Sequence, residues 1–229
     1  MNDVLGKAVY DHYTGNTKNK LWIYNQYGRR EAMPVSTYFR AEDDMPDLEW
    51  LALNECRGSV LDIGAGAGSH ALALQNRNID VTALDISPSL VDVMHSRGVK
   101  HKVEANIYAY SASTYDTLLF LMNGIGLAGT LPQLALLLVH CKKLMNPGGQ
   151  ILFDSSDVAY LFADEKPTDH YYGEIAYQYG YEKVKSDWFN WLYVDEHTMK
   201  SLAHKIGFKM DVLLEDEFGQ YLARLTLEA

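Results

Sequence analysis

The stretch Val60-Leu61-Asp62-Ile63-Gly64-Ala65-Gly66-Ala67-Gly68 constrains this chain more than any other. Ser59 to Ile63 is a short apolar run stopped by glycine, the pattern of a buried parallel strand. Gly64, Gly66 and Gly68 allow a tight turn with no side chain between backbone and ligand. Ser69 to Gln75 reads as a helix whose free N–H groups face the same point and would hold a carboxylate or phosphate. A second apolar run, Val81 to Asp85, ends in an acid. In a βαβ unit that carboxylate stands beside the turn, within reach of two ribose hydroxyls. The glycines alone leave two cofactor classes open, because Gly66-x-Gly68-x-x-Ala71 also satisfies the dinucleotide pattern.

Flanking signals place these motifs. Pro46 opens an amphipathic helix through Cys56, and Arg57-Gly58 closes it ahead of the first core strand. Ser87-Pro88 starts another, with Ser87 as cap, Leu90, Val91 and Met94 on the buried face, and Gly98 as the stop. His101 to Glu104 is expected as a third strand, Thr117 to Met122 as a fourth, Leu131 to Leu144 as a helix and Gln150 to Asp154 as a fifth strand. Alternating strands and helices predict a parallel sheet whose ligand lies at the carboxyl ends, where Asp62 to Gly68, Asp85, Asn106, Asn123 and Asp154 fall.

The string Asp62-x-Gly64-x-Gly66-x-Gly68 resembles the first motif of class I S-adenosylmethionine-dependent methyltransferases at all four positions. Asp85-Ile86 looks like that family's second motif, and Asn106-Ile107 sits where it usually carries an acid over the adenine. Tyr115 to Asn123 looks like its fourth strand, and Asn146-Pro147-Gly148-Gly149 is similar to the turn before its fifth. The resemblance is good over residues 45 to 155 and looser over 196 to 227. Among family members it is closest to bacterial small-molecule methyltransferases of unassigned substrate. It implies a three-layer, Rossmann-like α/β fold with a seven-stranded, mostly parallel sheet and helices on both faces. To this are added an N-terminal helical extension and an inserted β-hairpin. One domain then spans 1–229, with 1–44 as extension or cap, 45–155 as cofactor-binding core, 156–195 as aromatic insertion, and 196–229 as C-terminal helix and strands. The implied activity is in-line methyl transfer to a small-molecule acceptor, with S-adenosylmethionine held by Asp62, Gly64, Ala65, Gly66, Gly68, Asp85, Ile86, Asn106, Ile107 and Asn123. Asn106 departs from the usual acid; its side-chain carbonyl can still accept from the adenine amino group, without charge assistance. Asp62 has two readings, an anchor for the methionine ammonium or an acceptor for the glycine turn's own amides. A nicotinamide oxidoreductase and a non-catalytic S-adenosylmethionine-binding module are the alternative functions.

Charge and composition exclude other classes. Lys and Arg number 20 against 30 Asp and Glu, for a net charge of −10, which repels a phosphate backbone; nucleic acid is not the expected substrate. Cys56 and Cys141 lack zinc-type spacing and read as buried thiols in a reducing cytoplasm. The N-terminal residues show no secretory leader, and no stretch reaches the roughly 18 apolar residues of a membrane helix.

Displacement at a sulfonium needs no protein nucleophile. A hydroxyl acceptor would want a general base, for which His12 and His170 are the candidates; His70 reads as a packing or capping residue. Asp154 and Asp157 could hold a metal, but capping of the next helix by Ser155, Ser156 and Asp157 is preferred, and no metal is expected. Arg40 is a candidate for the methionine carboxylate, against a surface pairing with Glu42 or Asp43. In the insertion, alternation at Ile175, Tyr177, Tyr179 and Tyr181 and the return at Trp188, Phe189, Trp191 and Tyr193 predict a hairpin with a polar turn near 182–187. It reads as a lid for a flat or cationic acceptor, or else as core packing or a homodimer contact.

Overall fold

Helix α1 (Val4–Tyr13) begins at Asp3, whose carboxylate accepts the Gly6 N–H at 3.0 Å, and gives way to two short strands, β1 (Leu21–Asn25) and β2 (Glu31–Met33). The structure is a computed structural model describing residues 3–162 and 166–228. Of the N-terminal stretch expected to carry no leader, residues 1–2 lie outside it, as do 163–165 of the aromatic insertion.

Pro46 precedes helix α2 (Asp47–Glu55), as its fixed φ favours, and the core follows. Its elements are β3 (Val60–Ile63), α3 (Ser69–Asn76), β4 (Val81–Asp85), α4 (Pro88–Arg97), β5 (His101–Glu104), β6 (Tyr115–Phe120), α5 (Leu131–Leu144) and β7 (Met145–Ser156). Ser87 caps α4 by accepting the Leu90 N–H at 3.1 Å, and Gly98 ends it at φ 89°. Strand β6 stops earlier than its apolar run suggests, because Met122 and Asn123 take φ of 59° and 55° and turn the chain out of the sheet. Strand β7 is longer than expected and runs back through Pro147.

The insertion contributes β8 (Glu174–Tyr181), β9 (Val184–Lys185) and β10 (Phe189–Leu192). The chain closes with α6 (Glu196–Ile206), β11 (Phe208–Glu215) and β12 (Gln220–Leu227). The main sheet has seven strands in the order β11-β12-β7-β6-β3-β4-β5, with β3 to β7 parallel and the last hairpin antiparallel. The strand order reverses between β3 and β6, and such a switch point opens a crevice at the carboxyl ends. Alternate residues feed two cores. Leu118 and Phe120 pack with Leu134, Leu138 and Met199 of α5 and α6, while Leu119 packs with Leu53, Leu74 and Met94 of α2, α3 and α4.

The aromatic hairpin does not stand alone. β8 pairs with β10 and β9 and, along its other edge, with β1, and β2 completes a second, five-stranded sheet. The extension expected to be helical is therefore helical over α1 and continues as two strands. The reason lies in Leu21-Trp-Ile-Tyr-Asn, a run of apolar and aromatic residues that satisfies the free edge of β8 with main-chain hydrogen bonds.

Candidate active site

The glycine turn lies at the switch point, where the sequence places it. Its amides are consumed within the protein. Gly64 and Ala65 donate to Leu84 O at 2.8 and 3.1 Å, Gly66 donates to Asp85 Oδ2 at 2.9 Å, and Gly68 donates to Ala65 O at 2.8 Å. These four amides are thus spent within the protein, and the N–H groups expected to face an anion are those that open α3, not these. What the turn offers instead is bare backbone: a Cβ on Gly64 would meet nothing within 4 Å. At Gly66 the space is taken. Its φ is +57°, and a Cβ there would lie 3.1 Å from the ring of Tyr38, which lies over the turn. Gly68 packs tightly, its Cβ position 2.8 Å from Val99.

Asp62 is 2 % exposed, and its Oδ2 has no hydrogen-bond partner among the described residues. Burial pushes its carboxyl up to about 6, against the pull of His70. Since the turn amides go elsewhere, the structure does not give Asp62 the role of holding them. A buried carboxylate with an orphaned oxygen fits a ligand ammonium. Asp85 is also buried; Oδ1 accepts the Ser87 N–H at 3.0 Å, and burial raises its carboxyl despite the Ser87 and Gly66 amides. Ile86 follows it with 62 % exposure, an apolar surface left open beside the turn.

Asn106 is exposed at the end of β5, and its Oδ1 accepts the Tyr108 N–H at 3.0 Å, leaving one lone pair and the amide NH2 free. The Ile107 side chain is buried in the main core, so only its backbone can face a ligand. Asn123 bridges the two sheets. Its N–H donates to Asp154, its Nδ2 donates to Leu192 O at 3.1 Å, and its carbonyl accepts Trp191 Nε1 at 3.2 Å. Its Oδ1 is buried and unpartnered among the described residues. Asp154, 1 % exposed, is raised to about 6 by burial, with the Asn123 amide and Gln220 working against that.

Arg40 does not pair with Glu42 or Asp43. Its guanidinium donates to Glu49 Oε1, while Glu42 takes Arg77 at 2.5 Å. Glu49 Oε2 accepts from His70 Nε2 at 2.8 Å, and both side chains are 8 % exposed. Burial alone would push Glu49 up, but His70 and Arg40 outweigh it and hold it below its usual range. Burial would push His70 down, but Glu49 and Asp62 hold it above. Sequence reasoning missed Glu49, which sits in an ordinary amphipathic helix and offers no motif.

The other candidates disperse. His12 stacks on Phe39 at 5.2 Å, and His170 pairs with Asp169 at 2.7 Å. Asp157 caps the turn after β7 by accepting the Ala159 N–H at 2.8 Å. Cys56 and Cys141 are free and buried. The aromatic hairpin meets the strand ends where Trp191 Nε1 donates to Asn123 O, and burial, with the charges of Tyr179 and Asp85, raises the Tyr38 hydroxyl well above its usual range. Tyr193, only half-covered, lies close enough to Asp154 to feel its charge.

A doubly wound sheet with a glycine turn, an orphaned acid and a second acid at its switch point defines a Rossmann-like cofactor-binding protein. The chain belongs to the family described as Methyltransferase domain, which matches residues 38–213. It is 40% identical to a SAM-dependent methyltransferase from Bacteroides fragilis solved in complex with S-adenosyl-L-homocysteine, covering 99% of this chain and 95% of that one, with a TM-score of 0.91. The fold is shared with a sugar N-methyltransferase from Streptoalloteichus, at 15% identity over 88% of this chain and 95% of that one and a TM-score of 0.61. It is also 28% identical, over 45% of its own length, to the ubiquinone biosynthesis O-methyltransferase of Coxiella burnetii; the match spans about half of that relative, 47%. The cofactor is S-adenosylmethionine. The dinucleotide reading of the glycines falls away.

Proposed function

We propose that this protein transfers a methyl group from S-adenosylmethionine to a small-molecule acceptor by in-line displacement. The observation that carries the reading is the unpartnered, buried Oδ2 of Asp62 beside the open backbone of Gly64, an anion aimed at the place where the cofactor's ammonium belongs. Bound S-adenosylmethionine supplies a methyl carbon on a sulfonium that is already a good leaving group.

The chain's residues then hold and exclude. Asp62 binds the ammonium, Asp85 the ribose hydroxyls, and Ile86 covers one face of the adenine. Asn106 and the Ile107 backbone meet its edge, and Gly64, Ala65, Gly66 and Gly68 allow close approach. Asn123 closes the methionine end. Arg40 acts through Glu49 and His70 rather than on the ligand's carboxylate. Tyr38 over Gly66 keeps water from the displacement, which requires the nucleophile about 3 Å from the carbon in a dry pocket. On this reading 1–229 is one domain, with 1–44 and 156–195 forming a single cap.

No helix among the described residues is long and apolar enough to cross a membrane. Two free thiols support a cytoplasmic protein, and the charge of −10 supports a substrate other than nucleic acid. The hairpin's inner face is assigned to the cleft, so a homodimer would use another surface.

Calorimetric titration with S-adenosylmethionine and S-adenosylhomocysteine tests the reading. Saturable binding of both, lost in Asp85→Ala and absent for NADH, is expected; binding of NADH instead would overturn it.

A further inference from the structure

Sheet register sorts the aromatic side chains of the cap onto two faces. Partners across an antiparallel pair share a face, so Tyr177 lies with Phe189, and Tyr179 with Ile23. Their rings form a continuous surface, Tyr179 and Phe189 at 5.1 Å and Tyr177 and Tyr193 at 6.5 Å between centroids. The Tyr177 hydroxyl donates to that of Tyr193 at 3.3 Å. Trp22 and Tyr24 alternate onto the opposite face.

Cations cover rings on the outer face, and on the inner face Lys7 lies 6.0 Å from the ring of Tyr181, at the far end of β8 from Tyr177. Arg30 lies over Trp22 and Lys185 over Tyr24, each at 4.1 Å. Among the described residues, no such cation covers Tyr177, Tyr179 or Tyr193. The nearby Arg40 is spent on Glu49, and Arg97 donates to Ala67 O at 2.7 Å. Tyr177, Tyr179 and Tyr193 thus present rings with no cation over them, Tyr179 resting partly on the apolar cluster of α1, together with the Asp154 carboxylate.

One further atom lacks a partner. Leu192 O can only accept, which fixes Nδ2 of Asn123 toward it and leaves Oδ1 of Asn123 as the unpaired atom. A buried carbonyl oxygen requires a donor. Bare π faces, a buried carboxylate and an unpaired acceptor are together complementary to an N–H-bearing group that is, or becomes, positively charged.

We propose that the methyl acceptor is an amine, received between the inner tyrosines and the Asp154–Asn123 pair; this rests on the methyltransferase reading above. The amine gives its proton to bulk water before it is seated in the dry cleft, so the nitrogen that reacts is neutral. Its nitrogen lone pair forms the new C–N bond as the C–S bond breaks, and the C–S electrons go to sulfur. The positive charge leaves sulfur and reappears on the methylated nitrogen, so the charge within the cleft is unchanged while the tyrosine faces and Asp154 receive it. No general base takes part in the displacement, which agrees with His12 and His170 standing elsewhere. A carboxylate acceptor would meet Asp154 as a like charge, and a hydroxyl would bring no charge to the tyrosine faces.

Binding of S-adenosylhomocysteine is measured first; its absence would overturn the methyltransferase reading itself. The protein is then assayed for S-adenosylhomocysteine release with matched trios carrying an amine, a hydroxyl or a carboxylate on cyclohexyl, benzyl and pyranose skeletons. Turnover of amines with kcat/KM at least about tenfold above the matched hydroxyls is expected, a preference of the size cation-π contacts supply, with the carboxylates inert. Tyr179→Leu lowers the amine kcat/KM about tenfold and leaves S-adenosylhomocysteine affinity within about twofold, while Tyr179→Phe, which keeps the ring, restores it. Preference for hydroxyls or carboxylates, or no turnover of any amine by protein that binds S-adenosylhomocysteine, would overturn the proposal.

Discussion

The Asp85 carboxylate accepts the Gly66 N–H at 2.9 Å, so the acid that ends the second core strand also sets the shape of the glycine turn. One side chain therefore does two things, and its loss removes both. Asp85→Ala deletes a charge-assisted bond worth about 1.5–3 kcal/mol and leaves the Gly66 amide unpaired. Calorimetry is expected to show affinity for S-adenosylhomocysteine reduced by about 10- to 100-fold. Asp85→Asn, which can still accept from Gly66, is expected to lose less.

A side chain at Gly66 is strained. Gly66→Ala puts an alanine at φ +57° with its Cβ 3.1 Å from Tyr38. The backbone term costs about 1–2 kcal/mol, which for a chain of this size lowers the melting temperature by about 2–8 °C. Scanning calorimetry checks this. Tyr38→Ala in the same background relieves the ring contact and should recover part of the loss.

Asp62 sets function against stability. Its carboxyl is raised from 3.8 to about 6, so ionising it in the folded state costs stability: the cost is absent below about 3.8 and complete above about 6. Asp62→Asn is therefore expected to be more stable above pH 6, by at most about 3 kcal/mol at ~1.4 kcal/mol per pKa unit, with the difference closing in acid. On the proposed reading the same variant loses the ammonium's partner. Wild-type affinity for S-adenosylhomocysteine should fall as pH drops below about 6, while that of the variant stays flat. Melting and titration series from pH 4 to 8 measure both.

Glu49→Gln removes the anion shared by Arg40 and His70. Breaking a buried pair on one side costs about 3 kcal/mol. Glu49 is held below 4.5, so its contribution is present above that value and lost as pH falls through its folded pKa. His70 is held above 6.5, so its contribution is present below that value and lost as pH rises through its folded pKa. The gap in melting temperature between wild type and Glu49→Gln should therefore be widest between pH 4.5 and 6.5 and narrow on either side.

Local signals carried the core. Val60 to Ile63 is buried throughout, Ser87 and Gly98 bound α4 as cap and stop residues do, and Leu131 to Leu144 is helical over the full expected span. Each depends on a few adjacent residues. Thr117 to Met122 misled by two positions, because nothing in an apolar run announces the left-handed backbone of Met122 and Asn123. Glu49 and His70 carry no motif at all; they meet across two helices that only packing brings together.

The sequence by itself determined the glycine turn and its setting, since a turn between a buried strand and a helix, with acids at fixed strand ends, follows from local sterics and the period of the chain. Tertiary structure alone decided the second sheet. Leu21 to Asn25 and Ile175 to Tyr181 become neighbours through main-chain hydrogen bonds that read no side-chain code. Which face of their common sheet meets the cleft depends on the register between segments far apart in the chain.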